Sequence, residues 1–169
     1  MSDGAVARLH VVLVEPEIPQ NTGNVARTCA AVGAVLHLVH PLGFDVSERA
    51  VKRAGLDYWH LLELHEHDST DAFLSEHQND ELFFFSTRGE KPHSSVQYGG
   101  HGPMRHDCYL LFGRETQGLP EELLDEHRDR VLRIPIRHET RSLNLSNAVA
   151  VAVYEVLRQW GYPQLRVGK

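Results

Sequence analysis

Short apolar segments alternate with helix-like segments along the chain, and this alternation is the feature that most constrains the fold. Apolar runs with adjacent β-branched residues, such as residues 9–14, are typical of buried strands. The intervening segments carry apolar or small residues at helical spacing, and two of them end at Gly33 and Gly161. The alternation predicts an α/β fold with a mainly parallel sheet and helices on both faces.

The predicted elements form one continuous series, so residues 1–169 are predicted to be a single domain. Pro16 and Pro19 predict an irregular loop before the first helix. The polar residues 65–80 and the segment 91–107 are predicted to be surface excursions. The predicted strands cover residues 9–14, 34–39, 82–85, 109–112 and 131–134. The predicted helices cover residues 22–32, 47–54, 71–77, 120–127 and 145–160.

Composition restricts the class of protein. Cys29 and Cys108 stand apart in apolar surroundings, which predicts reduced, buried thiols. The longest uncharged stretch, residues 142–154, is shorter than the ~20 residues of a membrane helix, and no signal peptide is recognisable, so we expect a cytoplasmic protein without a membrane partner. A formal charge of -6 argues against a general nucleic-acid coat, although arginines cluster late in the chain.

The chain contains 12 histidines, including His65 and His67. They form no HExxH motif and no Cys/His ligand spacing. We therefore predict polar surface histidines and no metal site.

In an open α/β sheet, ligands bind beyond the carboxyl ends of the strands, which directs attention to three segments. The first, EPEIPQNTGNVAR, carries Asn21 at a helix entrance and Arg27 about one turn inside the helix. Such an entrance can receive an anion. The alternative is simple capping by Asn21 or Thr22, with Arg27 in a surface ion pair.

The second segment, FGRETQGLP, places Gly113 and Gly118 around Glu115. Glycines at these positions would let the backbone approach a ligand closely, and Glu115 could order the loop or bind the ligand. A turn with two glycines of positive φ is the alternative.

The third segment, RIPIRHETRSLNLSN, supplies Ser142, Asn144, Ser146 and Asn147 before an Ala- and Val-rich helix. Only one of these residues can be the N-cap, so the surplus of short polar groups indicates a ligand pocket. No GxGxxG follows a strand and no GKS or GKT loop occurs, which excludes the common nucleotide motifs.

In this order, the three segments resemble the SPOUT methyltransferases, most closely those of the TrmL type, which are tRNA 2′-O-methyltransferases. KRAGLDYW from Lys52 and RQWGYP from Arg158 extend the resemblance over nearly the whole chain. The resemblance implies a C-terminal trefoil knot, S-adenosyl-L-methionine as cofactor, and a homodimer whose active site draws on both protomers. It also implies the substrate, the ribose 2′-hydroxyl of the wobble nucleotide (cytidine or modified uridine, position 34) of leucine tRNAs.

The resemblance also implies roles for individual residues. The cofactor would lie against Phe85, Thr87, Gly113, Ile134, Ser142 and Leu143. The catalytic pocket would contain Asn21, Arg27, Glu115, Ser142 and Asn144. Arg27 and Tyr154 match positions of tRNA engagement, and candidates for phosphate contact are Arg137, Arg141, Arg158 and Arg166.

In the family that the chain resembles, the residue at the position of Arg27 has been described as the general base that takes the proton of the hydroxyl. A guanidinium stays protonated and has no lone pair to accept a proton. We therefore expect Arg27 to clamp the neighbouring phosphate, while Ser142 and Asn144 orient the hydroxyl and the cofactor.

Three other functions stay open at this point. They are a related methyltransferase acting on another tRNA site or on ribosomal RNA, an RNA-binding protein of the same fold without catalysis, and a flavodoxin-like module that binds a small ligand. Intact Arg27, Glu115, Ser142 and Asn144 argue against a non-catalytic protein. The absence of an added RNA-binding domain favours tRNA over ribosomal RNA.

Overall fold

Seven strands form one parallel sheet in the computed structural model, which describes residues 6–47 and 58–169. The strands are β1 (Leu9–Val14), β2 (Val35–Val39), β3 (Leu64–His67), β4 (Glu81–Phe85), β5 (Lys91–Pro92), β6 (Cys108–Phe112) and β7 (Val131–Arg133). Their order across the sheet is β3-β2-β1-β6-β4-β7-β5, and every neighbouring pair is parallel. Parallel pairing places the carboxyl ends of all strands at one edge.

Helices cover both faces of this sheet, as the sequence pattern predicts. The α-helices in the described ranges are α1 (Pro19–Val32), α2 (Thr70–Glu76), α3 (Glu121–Glu126) and α4 (Leu145–Trp160). On one face, α1 and α4 pack against each other and against a core that includes Val11 and Leu13 of β1. On the other face, Phe73 of α2 and Leu123 of α3 pack against a second core. None of the described helices has the length and apolarity to cross a membrane.

β1 shows why the strands carry continuous apolar runs. All six of its residues are buried, because helices cover both faces of a parallel sheet. Side chains alternate between the faces, so Leu9, Val11 and Leu13 belong to the α1–α4 core. Val12 and Val14 belong to the core under α2 and α3.

Sequence reasoning places most element boundaries within two residues of those observed, and β1 and α4 coincide with their predicted ranges. The prediction that Pro19 excludes regular structure is wrong, because α1 begins at this residue. Proline suits the first helical position, where its missing N–H would have no helical partner. The helix predicted over 47–54 lies outside the described residues, apart from residue 47.

The two predicted surface excursions contain more structure than expected. Residues 65–80 include most of β3 and all of α2, and Phe73 is fully buried. Residues 91–107 include β5 and the fully buried Tyr98, whose backbone N–H donates to Oε1 of Gln159 in α4. Both segments pack against neighbours that are distant in sequence, and the polarity of a segment does not predict such contacts.

The prediction of polar surface histidines is wrong for four residues: His10, His37, His67 and His77 are buried. His37 packs against Phe73 and Tyr109, on the face of the sheet that α2 covers. Burial, together with neighbouring imidazoles, lowers the pKa of His37 to about 2. Burial is tolerated because the rings hydrogen-bond to one another, a pairing that only the fold creates.

The prediction of reduced, buried thiols is confirmed for both cysteines. Cys29 and Cys108 are free and completely shielded from solvent. Burial raises the pKa of the Cys29 thiol to about 12.

Candidate active site

A cavity of about 990 Å³ lies at the carboxyl ends of β1, β4, β6 and β7. The sheet is parallel, so the loops that follow these strands meet at one edge. All three segments selected from the sequence contribute to the lining. Polar and charged residues of the lining that carry the following argument are Glu15, Asn21, Thr87, Glu115, Ser142 and Asn144.

Glu115 joins the loop after β6 to the start of α1. Its carboxylate accepts hydrogen bonds from the backbone N–H groups of Glu17 (2.8 Å) and Ile18 (3.0 Å). Ile18 is the N-cap of α1 and offers no side-chain cap, and neither Asn21 nor Thr22 caps the helix as sequence reasoning had allowed. The anion at this helix entrance is therefore Glu115 of the same chain, which accepts from the two N–H groups directly before the helix.

Asn21 connects this carboxylate to the start of α4. Its Nδ2 donates to Oε1 of Glu115 (3.3 Å), and its Oδ1 accepts a bond from Nδ2 of Asn144 (3.1 Å). Asn144 is the N-cap of α4, and its Oδ1 accepts from the backbone N–H of Ser146 (2.9 Å). A chain of hydrogen bonds thus fixes the entrances of both helices against the loop after β6.

Gly113 sits where no side chain can be accommodated. A Cβ atom on this residue would lie 2.0 Å from the backbone carbonyl carbon of Gly118 and 2.1 Å from the backbone nitrogen of Leu119. The loop closes through reciprocal backbone hydrogen bonds between Arg114 and Gly118, and Gly118 has φ 70°. Both glycines are therefore required by the backbone path, and the loop brings peptide groups to the cavity wall.

The cavity also has an apolar wall. The rings of Phe85 and Phe112 stack with centroids 4.7 Å apart at the ends of β4 and β6. Ile134 and Leu143 line the cavity from the segment between β7 and α4. Ser142, in the same segment, is exposed to the cavity and its hydroxyl makes no hydrogen bond among the described residues. The combination of an aromatic wall with a few polar groups is typical of a pocket for a small molecule.

Sequence reasoning missed several charged residues of this site. Glu15 directly follows β1 with φ 53°, and its carboxylate pairs with Arg114. Arg88 and Glu121 line the mouth and form an exposed ion pair of 2.7 Å. Only the position of Glu15 in the sequence could have revealed it as a site residue. It directly follows a predicted strand, and Gly113 and Glu115 were selected because they follow another.

Five of the expected functional residues lie outside the cavity lining: Arg27, Arg137, Tyr154, Arg158 and Arg166. Arg27 is exposed on α1, and its guanidinium lies 5.1 Å from the ring centroid of Tyr58. Tyr154 is exposed on α4, and Arg158 pairs with Glu155 on the same helix. Arg141, by contrast, lines the cavity.

Residues 8–154 match the SpoU rRNA Methylase family. The matched range contains every strand and the three segments that line the cavity. The chain belongs to this family. Membership also implies the C-terminal trefoil knot that the sequence resemblance predicts for this SpoU methylase.

This SpoU methylase is similar to relatives over most of its length. It is 46% identical over 161 residues to the tRNA (cytidine(34)-2′-O)-methyltransferase of Yersinia pestis, covering 92% of this chain and 96% of the relative. A solved structure concerned with the 2-OH methylation of C/U34 on tRNA shares 49% identity and a TM-score of 0.84, covering 92% of this chain and 97% of that chain. An AdoMet-bound rRNA methyltransferase from Sinorhizobium meliloti shares 25% identity and a TM-score of 0.79, covering 89% and 56%.

Proposed function

We propose that this chain is a methyltransferase that methylates the ribose 2′-hydroxyl of the wobble nucleotide, C34 or U34, of tRNA, with S-adenosyl-L-methionine as donor. The observation that carries the proposal is the cavity at the carboxyl edge of the sheet, which is built from the three segments that define the resemblance. Two relatives that match the chain almost end to end support the proposal. The relative from Yersinia pestis is named as a tRNA (cytidine(34)-2′-O)-methyltransferase, and the solved structure concerns the 2-OH methylation of C/U34 on tRNA. Residues 1–169 act as one methyltransferase domain in this proposal.

The residues present fit the cofactor. The cavity is large enough for a nucleoside with an amino-acid arm, since ligand pockets typically measure about 300–1,000 Å³. Phe85, Ile134 and Leu143 provide apolar contact, and the peptide groups around Gly113 offer donors and acceptors at close approach. The cofactor-holding set is Phe85, Thr87, Gly113, Ile134, Ser142 and Leu143. The bound cofactor supplies an activated methyl group on a sulfonium.

The chain contributes to catalysis mainly by positioning. The oxygen, methyl carbon and sulfur must be in line, and fixed geometry can supply about 7–11 kcal/mol of the barrier reduction. Glu115, Asn21 and Asn144 hold the helix entrances rigid on either side of the cavity. The hydroxyl of Ser142, which makes no hydrogen bond among the described residues, is available to orient the ribose.

Neither charged candidate is a good base. Glu115 is committed to two backbone N–H groups and to Asn21, so its oxygens are occupied. Arg27 has no lone pair. The other carboxylates of the lining, Glu15 and Glu121, are paired with Arg114 and Arg88, and our proposal assigns the ribose proton to water at the open mouth of the cavity.

A homodimer would bring Arg27 to the reaction. In its own protomer this side chain lies outside the cavity lining, so our proposal places it as a clamp on the phosphate of a substrate bound in a second copy. The exposed surface of α4 offers Val151 and Tyr154, which are 41% and 50% exposed. We infer that this surface forms the dimer contact or lies beside it, so that both protomers build each active site.

Recognition of tRNA would rely on a few arginines and one aromatic residue. Arg141 lines the cavity mouth, and exposed Arg27 and Arg158 can contact phosphates. Tyr154 can stack on an unpaired base. The wobble base lies in a single-stranded loop, so no duplex has to be melted before it binds. We infer that the substrates are leucine tRNAs and that the reaction takes place in the cytoplasm.

The experiment that tests the proposal is methylation of RNA with methyl-labelled S-adenosylmethionine. Total tRNA lacking wobble 2′-O-methylation and ribosomal RNA are incubated separately with the full chain, and the labelled nucleotide is mapped by nuclease digestion and mass spectrometry. We expect label on the ribose of nucleotide 34 of leucine tRNAs. A leucine tRNA carrying 2′-deoxycytidine at this position should accept no label. Label on a base, or on ribosomal RNA alone, would refute the proposal.

A further inference from the structure

Three buried histidines converge on the sheet face that α2 covers, and none of them lines the catalytic cavity. His37 belongs to β2, His67 ends β3, and His77 follows the last turn of α2. Their exposed fractions are 4%, 9% and 9%, and one ring nitrogen of each lies within 4.8 Å of the others. Three imidazoles from three elements are thus assembled in a site shielded from solvent.

Each of the three rings has one nitrogen held by a partner outside the trio. Nδ1 of His77 lies 2.7 Å from Oδ2 of Asp80, and Nδ1 of His67 lies 3.4 Å from Oε2 of Glu76. Nε2 of His37 lies 2.9 Å from Nδ1 of His10. Metal-binding histidines are oriented in this way, because a carboxylate or another acceptor on one ring nitrogen leaves the lone pair on the other.

One nitrogen of each ring then remains for a metal ion. Nδ1 of His37 and Nε2 of His67 are 2.9 Å apart. Nε2 of His77 is buried and has no hydrogen-bond partner among the described residues. The ring centroid of His77 lies 5.8 Å from those of both His37 and His67. A buried polar atom without a partner is rare in proteins and requires an explanation.

A chain of hydrogen bonds between histidines accounts for His10 and His37 but not for His77. The hydrogen bonds run from Asp107 through His10 and His37 to His67, which makes three contacts. Three neutral imidazoles carry three N–H groups, so these contacts leave no proton on Nδ1 of His67, which faces the Glu76 carboxylate at 3.4 Å. The chain also leaves Nε2 of His77 unpaired.

We propose that His37, His67 and His77 bind one divalent transition-metal ion, for which Zn²⁺ is the best fit. Neutral imidazole suits Zn²⁺, and three histidines leave one position for water or for the Glu76 carboxylate, whose Oε1 lies 4.0 Å from Nε2 of His77. Ligand nitrogens in a tetrahedral site with Zn–N of about 2.0 Å lie about 3.3 Å apart, so binding would slightly widen the 2.9 Å separation of the His37 and His67 nitrogens and bring His77 to the same distance from both. The sequence prediction of no metal site considered spacing along the chain, whereas these ligands meet only in the fold.

The ion would stabilise the edge of the sheet. β3 is the last strand on this side, and two of its four residues are exposed. A metal bound by residues of β2, β3 and the end of α2 would cross-link the edge strand and the helix to the interior of the sheet. A metal ion that binds the folded state and not the unfolded state raises the melting temperature.

The test uses the full chain without a polyhistidine tag, stripped with a chelator and then titrated with Zn²⁺ by calorimetry. We expect one Zn²⁺ per protomer and a rise in Tm on loading, both of which are lost in His77→Gln. Co²⁺ should give the visible absorption of a tetrahedral site. Failure of the unaltered chain to take up Zn²⁺, or equal uptake by His77→Gln, overturns the proposal.

A second variant keeps the test valid if His77→Gln does not fold. Asp80→Asn changes a half-exposed side chain that orients His77 without being a ligand, and we expect Zn²⁺ affinity to fall about 10–100-fold. The control is His101→Gln, which alters an exposed histidine outside the trio and should bind Zn²⁺ like the unaltered chain. Equal affinities of Asp80→Asn and the control would contradict the assigned ligands.

Discussion

Nδ2 of Asn144 donates a hydrogen bond of 3.1 Å to Oδ1 of Asn21, and this contact ties the entrance of α4 to the first turn of α1 across 123 positions of sequence. Asn144 also accepts the bond that caps α4. One side chain therefore both ends a loop of the cavity and fixes the relative position of two helices. This contact therefore fixes the position of the helix entrances beside the cavity.

Asn144→Ala should lower the free energy of unfolding by about 0.5–2 kcal/mol, because α4 loses its side-chain cap. Methyl transfer should fall further, since the link to Asn21 is lost as well. Asn144→Asp is the matched control: it can still cap the helix but cannot donate to Asn21. Urea denaturation and turnover should separate the two effects, with Asn144→Asp more stable than Asn144→Ala. If the two variants are equally unstable, Asn144 does not act as a cap.

Gly113→Ala should damage the cofactor site. The new Cβ would meet the backbone of Gly118 at 2.0 Å, so the loop must shift, at a cost of about 1–3 kcal/mol in stability. We expect affinity for S-adenosylmethionine to fall more than about tenfold by calorimetry. Gly168→Ala is the control, because a Cβ there meets nothing within 4 Å. Unchanged cofactor affinity in Gly113→Ala would remove this loop from the cofactor site.

Glu115→Gln should weaken the start of α1. The amide keeps one acceptor oxygen but turns an NH₂ group towards a backbone N–H, so we expect a loss of about 1–2 kcal/mol and slower methyl transfer. Glu121→Gln changes an exposed carboxylate at the same cavity mouth and should alter stability by less than about 0.5 kcal/mol. Thermal and urea unfolding of the pair provide the measurement. Equal effects would mean that the hydrogen bonds from Glu17 and Ile18 to Glu115 do not stabilise α1.

Arg27→Lys should lower kcat/KM at least about tenfold, since an ammonium cannot make the two parallel bonds of a guanidinium to phosphate. Near-normal turnover at neutral pH would contradict the clamp.

The dimer arrangement has its own test, in which Arg27→Ala is co-expressed with Ser142→Trp. If Arg27 acts in the partner's cavity, mixed dimers contain one intact site, and activity should recover to about a quarter of the unaltered enzyme. No recovery would place both residues in the same protomer's site.

Cys29 and Cys108 should resist alkylation by iodoacetamide at pH 8. Burial raises the pKa of the Cys29 thiol to about 12 and that of Cys108 well above its usual range, so the reactive thiolate is scarce and shielded. Mass spectrometry should find both thiols unmodified in the native protein and both alkylated in urea. Modification of either residue without denaturant would contradict its position in the core.

The sequence by itself determined the elements whose signals are local. β1 is a run of apolar residues, and α4 has Asn144 at its start and Gly161 at its end, so period and capping residues predict both elements. The segment around Glu115 and the one before α4 could also be selected, because residues that follow parallel strands meet at one edge. For the same reason, three segments of the cavity lining could be selected without knowing the strand order, although Glu15, Arg88 and Glu121 were missed.

Tertiary structure alone decided features that depend on partners distant in the chain. β3 has the sequence Leu-His-Glu-His, which carries no strand signal, and it forms because β2 offers a free edge for backbone pairing. His37 and His77 have polar side chains, yet both are buried. Nδ1 of His37 hydrogen-bonds to His67, Nδ1 of His77 hydrogen-bonds to Asp80, and the two rings pack edge to face. Local periodicity records which residues favour a strand or a helix; burial of a polar group depends on hydrogen-bond partners that only the folded chain brings together.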